Sequence, residues 1–154
     1  MRSFHFAVQL RGTGAYYAAN SFETAVAETV SHTAKFLAAT GEESGWIAEK
    51  RELIGSINAN LIDLRSGDYP KILDSEDYGA SQRFANEARD SNADGVVYPS
   101  LRQQGRECFA AFWPDVMSMP VQGHHISYHW NGTRVDYIRE LELDGNGPVY
   151  AVDE

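Results

Sequence analysis

Two ionisable side chains, Glu28 and His32, are four residues apart in a segment with helical character. Residues at positions i and i+4 lie on one face of a helix, so the carboxylate and the imidazole would be neighbours. This pair is the first candidate for site chemistry. The alternative is that Glu28 is a solvated residue on the outer face of the helix, since charged side chains are mostly exposed.

A second candidate follows a short apolar strand that ends at Pro99. Ser100 and Arg102 come directly after this strand, in the kind of turn where proteins commonly present binding residues. A hydroxyl group beside a guanidinium suits a phosphate or a ribose. The alternative is an ordinary exit from a strand into a loop.

Three histidines, His124, His125 and His129, raise the question of metal binding. His125 and His129 would share one face of a strand, but their separation spans roughly 13 Å, which is too far for a single ion. No metal is therefore expected. Cys108, the single cysteine, lies in a strand pattern and is expected to be a core residue rather than a nucleophile.

Composition and charge narrow the class of protein. The 154 residues predict one domain, and 43% hydrophobic with 23% charged residues excludes disordered and fibrous classes. The 13 Lys and Arg against 22 Asp and Glu give a net charge of −9, which would repel a phosphate backbone, so no direct nucleic-acid partner is expected. The sequence lacks the GxSxG, P-loop and GxGxxG motifs, which disfavours most standard enzyme classes.

The start of the sequence, MRSFHFAVQLRG, has neither the long apolar core nor the cleavage site of a secretory signal. The apolar runs are short and do not approach the ~20 residues that cross a bilayer. We therefore expect a cytoplasmic protein with no membrane contact.

The candidate residues must be positioned by a small set of elements. The clearest is a helix that Asn20 is expected to cap, with Glu23 three positions later as in a capping box. Its apolar side includes Val26, Val30 and Leu37, and its end is expected near residues 40–41.

The remaining elements are mostly strands. A second helix is expected over residues 76–89, capped by Ser75, and residues 131–132 (NG) mark a hairpin turn. Strands are expected over residues 4–10, 14–18, 53–61, 96–98, 108–113, 126–130, 135–143 and 149–152. Segregated helices and hairpin-joined strands favour an α+β fold over a doubly wound parallel sheet.

Taken together, these segments resemble the RES-domain family. Residues 14–19 (GAYYAA) and 23–29 (ETAVAET) are similar to the family's aromatic strand and its glutamate-bearing helix. Residues 94–102 (DGVVYPSLR) are similar to its GxxYPSxR segment, and residues 107–114 (ECFAAFWP) to the strand that follows. Each motif alone is weak evidence for the family, but three motifs in the same order and spacing are strong evidence. The likeness extends over essentially the whole chain, so we expect a single RES domain over residues 1–154.

The resemblance implies a fold and an activity. The family's fold resembles that of ADP-ribosyltransferases, in which antiparallel-rich β-sheets clasp NAD in a cleft. Its known members are toxins of toxin–antitoxin pairs that attack the nicotinamide–ribose bond of NAD. They either degrade NAD by phosphorolysis or hydrolysis or transfer ADP-ribose to a protein. A partner antitoxin, usually with a DNA-binding domain, neutralises them.

The resemblance also implies roles for particular residues. Glu28 would be the carboxylate that stabilises the positive charge developing on the ribose. Tyr17, which is 11 residues before it, matches the family's tyrosine and would stack on the nicotinamide. Ser100 would bind the ribose or a phosphate, and Arg102 would contact the pyrophosphate.

The family's arginine normally lies ten residues before the tyrosine, and this position holds Ala7. The nearest arginines are Arg2 and Arg11, of which Arg11, beside the glycines of a turn, is the preferred substitute for NAD binding.

Three functions remain open from the sequence. The first is depletion of NAD by cleavage to a water or phosphate acceptor. The second is transfer of ADP-ribose to an enzyme of nucleotide metabolism. The third is a catalytically inactive RES-like binding module, which Ala7 at the arginine position favours.

Overall fold

A computed structural model describes residues 2–6, 15–66 and 78–153. Two helices, α1 (Phe22–Thr40) and α2 (Tyr78–Asp90), lie among nine strands. The strands are β1 (Arg2–Phe6), β2 (Tyr16–Ala19), β3 (Gly45–Ile57), β4 (Leu61–Asp63), β5 (Gly95–Pro99), β6 (Glu107–Ala111), β7 (Val121–Trp130), β8 (Val135–Glu140) and β9 (Val149–Ala151). A 3₁₀ turn covers Pro114–Val116.

The strands pair in the order β4-β5-β6-β2-β1-β3-β7-β8-β9, and all pairs are antiparallel except β4 with β5. Within the described residues, a single pair, His5 with Ala19, joins β1 to β2. The sheet therefore consists of a first half (β4, β5, β6 and β2) and a second half (β1, β3, β7, β8 and β9). This confirms the α+β class and the antiparallel-rich arrangement.

Helix α1 starts one residue later than the sequence suggested. Ser21, not Asn20, is the N-cap, and its side chain accepts a hydrogen bond of 3.2 Å from the Thr24 N–H. Asn20 instead pairs with the start of β6, because its N–H donates to the Glu107 carbonyl. The helix ends at Gly41, whose left-handed backbone (φ 67°) lets its N–H reach the Leu37 carbonyl.

The apolar side of α1 holds the helix on the second half of the sheet. Val26, Val30 and Leu37 pack against a buried group on β7 and β8 that includes Tyr128 and Trp130. Below them, the Thr29 hydroxyl donates to the Ala25 carbonyl and lies 2.7 Å from the Tyr128 hydroxyl. This buried polar contact fixes the position of α1 along β7.

The largest difference from the sequence prediction is the strand expected over residues 53–61. The structure divides this segment between the end of β3 and the whole of β4, because residues 58–60 turn there, with Asn58 N–H bonded to the Val116 carbonyl. The first part of β3 was missed because Glu49, Lys50 and Arg51 interrupt any apolar alternation. Ser75 and residues 7–10 lie outside the described residues, and the other predicted strands are found with shifted ends.

One face of the first half-sheet carries Ala19, Cys108 and Tyr98 and lies against helix α1. Ala19, Cys108 and Tyr98 are neighbours across β2, β6 and β5, and Ala25 of α1 packs on Ala19 and Cys108. Tyr17 is two residues from Ala19 and shares its face, since side chains alternate along a strand. The elements thus bring this face of the half-sheet under the first turns of α1.

The Thr29–Tyr128 contact predicts an asymmetric loss of stability. Thr29→Val removes the acceptor of a fully buried tyrosine hydroxyl and should lower the free energy of unfolding by about 1–3 kcal/mol. Tyr128→Phe should cost less, about 1 kcal/mol, because Thr29 keeps its bond to the Ala25 carbonyl. Urea denaturation of both variants measures the difference, and a neutral Thr29→Val would show that the contact does not hold the helix.

Candidate active site

Glu28 points from α1 towards the turn that follows β5. The Ser100 hydroxyl donates a hydrogen bond of 2.7 Å to Oε1 of Glu28, and Sγ of Cys108 lies 3.8 Å from the same oxygen. Glu28 is partly buried, so it is not a solvated residue on the outer face of the helix. The structure therefore brings together two residues, Glu28 and Ser100, that are 72 positions apart in the sequence.

The hydroxyl of Ser100 is fully used by the protein. It accepts hydrogen bonds of 3.1 Å from the backbone N–H groups of Arg102 and Gln103 and donates its own hydrogen to Glu28. A serine hydroxyl has one hydrogen and two lone pairs, so all three are engaged. In this geometry Ser100 fixes the orientation of the Glu28 carboxylate.

The two carboxylate oxygens of Glu28 consequently differ. Ser100 and Cys108 both contact Oε1, whereas no group among the described residues hydrogen-bonds Oε2. One oxygen is anchored and the other is available to a bound molecule. This is the geometry required of a carboxylate that must face a substrate without rotating away from it.

Cys108 and Tyr98, which are paired across β6 and β5, are the buried ionisable neighbours of Glu28. Burial, reinforced by the nearby negative charge of Glu28, raises the pKa of the Cys108 thiol to about 12. Burial likewise raises the pKa of Tyr98 well above its ordinary value, with further contributions from Cys108, Tyr17 and Glu28. Both groups therefore stay protonated and neutral next to the carboxylate. Cys108 is the buried residue that its strand pattern predicts, and its contact with Glu28 gave no signal in the sequence.

Tyr17 is 39% exposed and lies on the same face of the half-sheet as Cys108. Tyr17 and Glu28 both act electrostatically on Tyr98, so both lie within electrostatic range of its hydroxyl. Tyr17 does not hydrogen-bond Glu28 or Ser100 among the described contacts. Stacking of its ring on nicotinamide stays a prediction.

A chain of polar contacts supports the turn that carries Ser100. The fully buried Thr24 hydroxyl donates to Oε1 of Gln103 at 2.8 Å and lies 2.8 Å from the Ser21 hydroxyl. The N–H of Gln103 in turn donates to Ser100. The N-cap of α1 is therefore coupled to the turn opposite it. Sequence reasoning missed Thr24 and Gln103 because only the fold brings them into contact.

His32 and Arg102 lie beside this cluster. Desolvation lowers the pKa of His32, Glu28 opposes the shift, and the positive charges of Lys35 and Arg102 lower the pKa further. Glu28, Lys35 and Arg102 are therefore each within electrostatic range of His32. Arg11 and Ala7 lie outside the described residues, so the choice of Arg11 for NAD binding stays a prediction.

The three histidines of β7 do not converge. Each lies against a separate carboxylate: His124 against Glu52 at 2.5 Å, His125 against Glu49 at 3.2 Å and His129 against Asp136 at 2.6 Å. The described part of the chain contains no group of three or more His, Cys, Asp or Glu residues arranged to hold a metal ion.

Two surface cavities lie away from Glu28. One of about 270 Å³ is lined by residues that include Asn58, Asn60 and Val97, and one of about 230 Å³ lies against Pro99 and Arg106. Both border Arg65, whose guanidinium is bonded to two carboxylates. Neither of these two cavities is lined by Glu28, Tyr17 or Ser100.

The fold and this cluster define an α+β domain with a single oriented carboxylate at its site. Comparison with known proteins gives the family: the model of the RES domain matches residues 4–131, and the chain belongs to the RES domain family. It is also 30% identical over 128 residues to the "Uncharacterized protein y4oC" of Sinorhizobium fredii (strain NBRC 101917 / NGR234). That match covers 83% of this chain and 53% of the relative, so the chain spans about half of the relative's length.

Neither helix in the described ranges has both the length and the hydropathy that a bilayer crossing requires.

The environment of Cys108 predicts an unreactive thiol. With a pKa of about 12, only roughly one thiol in ten thousand is ionised at mildly alkaline pH, and the side chain is 2% exposed. A disulfide reagent such as DTNB should therefore leave the native protein unmodified and titrate one thiol per chain in concentrated urea. Rapid labelling of the native protein would contradict this description of the site.

Proposed function

We propose that this protein is a toxin of a toxin–antitoxin pair that cleaves the nicotinamide–ribose bond of NAD. Membership of the RES domain family supports an NAD-related activity. The observation that carries the proposal is the orientation of Glu28, with Oε1 anchored by Ser100 and Oε2 available to a ligand. Two of the residues that the family resemblance singled out, Glu28 and Ser100, are joined by this hydrogen bond.

The chemistry requires a fixed negative charge next to the ribose. When the bond between C1′ and the pyridinium nitrogen breaks, its electron pair leaves with nicotinamide and the ribose acquires oxocarbenium character. A preorganised carboxylate stabilises this charge more in the transition state than in the ground state. Oε2 of Glu28 can in addition accept a hydrogen bond from a ribose hydroxyl.

The neighbours of Glu28 keep this charge in place. Cys108 and Tyr98 are neutral at physiological pH because their pKa values are raised, so they do not repel the carboxylate. The exposed ring of Tyr17 offers an aromatic surface to the nicotinamide. The acceptor then forms a bond to C1′ through oxygen and loses its proton, which completes hydrolysis with water or phosphorolysis with phosphate.

Two further features belong to the same proposal. The natural partner is an antitoxin protein that neutralises the activity, and both would be located in the cytoplasm. Transfer of ADP-ribose to a protein acceptor differs only in the nucleophile, so it is separated from NAD depletion by assay of the products rather than by the geometry of Glu28.

Glu28→Gln should abolish most nicotinamide release from NAD, with a fall of at least about 100-fold in kcat. The amide retains an oxygen for the Ser100 hydroxyl but removes the charge. Release is measured with the purified protein, with and without phosphate, and a mass increase on a target protein would indicate ADP-ribosyl transfer instead. Glu43→Gln, the same change at an exposed carboxylate after α1, is the matched control and should keep full activity. Equal activity of Glu28→Gln and the parent would refute the proposed site.

Ser100→Ala separates a positioning role from direct substrate binding. Loss of the hydroxyl frees the Glu28 carboxylate to rotate, so kcat should fall about 10- to 100-fold with little change in KM for NAD. Ser100→Thr retains the hydroxyl and should recover part of kcat. A rise in KM with unchanged kcat would show instead that Ser100 contacts the substrate, as the family resemblance implies.

A further inference from the structure

Thr24 and Glu28 are one turn apart on α1, and both side chains bond to the same turn, residues 100–103, between β5 and β6. Positions i and i+4 lie on one face of a helix, so the two contacts are side by side. The Ser100 hydroxyl donates to Oε1 of Glu28 at 2.7 Å. The Thr24 hydroxyl donates to Oε1 of Gln103 at 2.8 Å. The turn is therefore attached to the helix at two points rather than one.

The direction of each hydrogen bond around Thr24 follows from its single hydroxyl hydrogen. That hydrogen is used on Gln103, because a carbonyl oxygen can only accept. The Ser21 hydroxyl, 2.8 Å from that of Thr24, must therefore donate to it, while the Ser21 oxygen accepts the Thr24 N–H at 3.2 Å. Thr24 is 0% exposed, so bulk water does not reach this hydroxyl. The N-cap of α1 is thus joined to the turn through one buried hydroxyl with a defined orientation.

Gln103 transmits this restraint to Ser100. Its side chain is held by Thr24, and its backbone N–H donates at 3.1 Å to the Ser100 hydroxyl oxygen. The turn is also closed on itself, because the Ser100 N–H donates to the Arg106 carbonyl and the Arg106 N–H donates to the Gln103 carbonyl. The direction of the Ser100 hydroxyl, and with it the orientation of the Glu28 carboxylate, therefore depends on a turn that Thr24 fixes.

We propose that Thr24 and Gln103 are positioning residues, which hold the turn so that Ser100 keeps the Glu28 carboxylate in one orientation. The catalytic consequence of this role rests on the proposed function. Thr24 is buried and the Gln103 side chain is bonded to it, so the role requires no contact with the substrate. Loss of the contact would let the carboxylate rotate, which affects the rate of the chemical step rather than the affinity for substrate.

The first test follows the turn without turnover. Hydrogen exchange of the Arg102 amide, whose N–H donates to Ser100, is measured by NMR on the full chain. Thr24→Val keeps the shape of the side chain but removes its hydroxyl, so the Arg102 N–H should exchange about tenfold faster than in the parent. Gln103→Met should have the same effect from a half-buried position, so the result does not depend on whether Thr24→Val folds. Gln104→Met, the same change at the next, exposed glutamine, is the matched control and should leave the exchange rate unchanged.

The second test measures nicotinamide release from NAD. Thr24→Val and Gln103→Met should each lower kcat about tenfold with KM for NAD unchanged, and Thr24→Ser, which retains the hydroxyl, should recover most of kcat. Gln104→Met should keep full activity. In the Ser100→Ala background, Thr24→Val should cause almost no further loss, because Thr24 acts through Ser100. Losses of kcat that add up in the double variant would overturn the positioning role.

The two tests also separate this proposal from the proposed function. An Arg102 exchange rate that is the same in the parent, Thr24→Val and Gln103→Met would overturn the positioning role, and so would faster exchange with an unchanged kcat. A parent protein that releases no nicotinamide would refute the proposed function. The exchange rates would then still decide whether Thr24 and Gln103 hold the turn.

Discussion

The hydrogen bond from Ser100 to Glu28 is the interaction on which the site depends. It joins helix α1 to the turn between β5 and β6. The Ser100 oxygen accepts hydrogen bonds from two backbone N–H groups, so its own hydrogen is directed towards Glu28. A carboxylate on an exposed helix face would sample several rotamers. Here one oxygen is fixed and the other is presented, which is a preorganised charge of the kind that stabilises a cationic transition state.

The rest of the fold holds the two ends of that bond at the correct distance. On one side of α1, apolar packing and the Thr29–Tyr128 contact fix the helix on the second half of the sheet. On the other side, Ala25 packs on Cys108, and Thr24 bonds to the turn through Gln103. The helix therefore spans the junction between the two half-sheets, and the site lies where those halves meet.

The electrostatics of the site follow from burial. Tyr98 and Cys108 remain neutral because their anions would be desolvated next to Glu28. The negative charge among these three groups is thus confined to the Glu28 carboxylate. In the proposed reaction, this carboxylate is the anion that would face the ribose as it becomes cationic.

The sequence by itself determined the α+β class, the helix that carries Glu28, the strand that ends before Ser100 and the family, because local periodicity, capping residues and turn residues act over short distances. It placed the helix cap at Asn20 instead of Ser21, since both residue types cap helices and only the geometry of β6 engages Asn20 elsewhere. It also missed the first part of β3, where buried Glu52 and its charged neighbours conceal a strand. Only the tertiary structure decided that Ser100 bonds to Glu28 and that Cys108, Tyr98 and Thr24 surround them. These contacts join residues far apart in the chain, and no local pattern of residue types encodes the packing that brings them together.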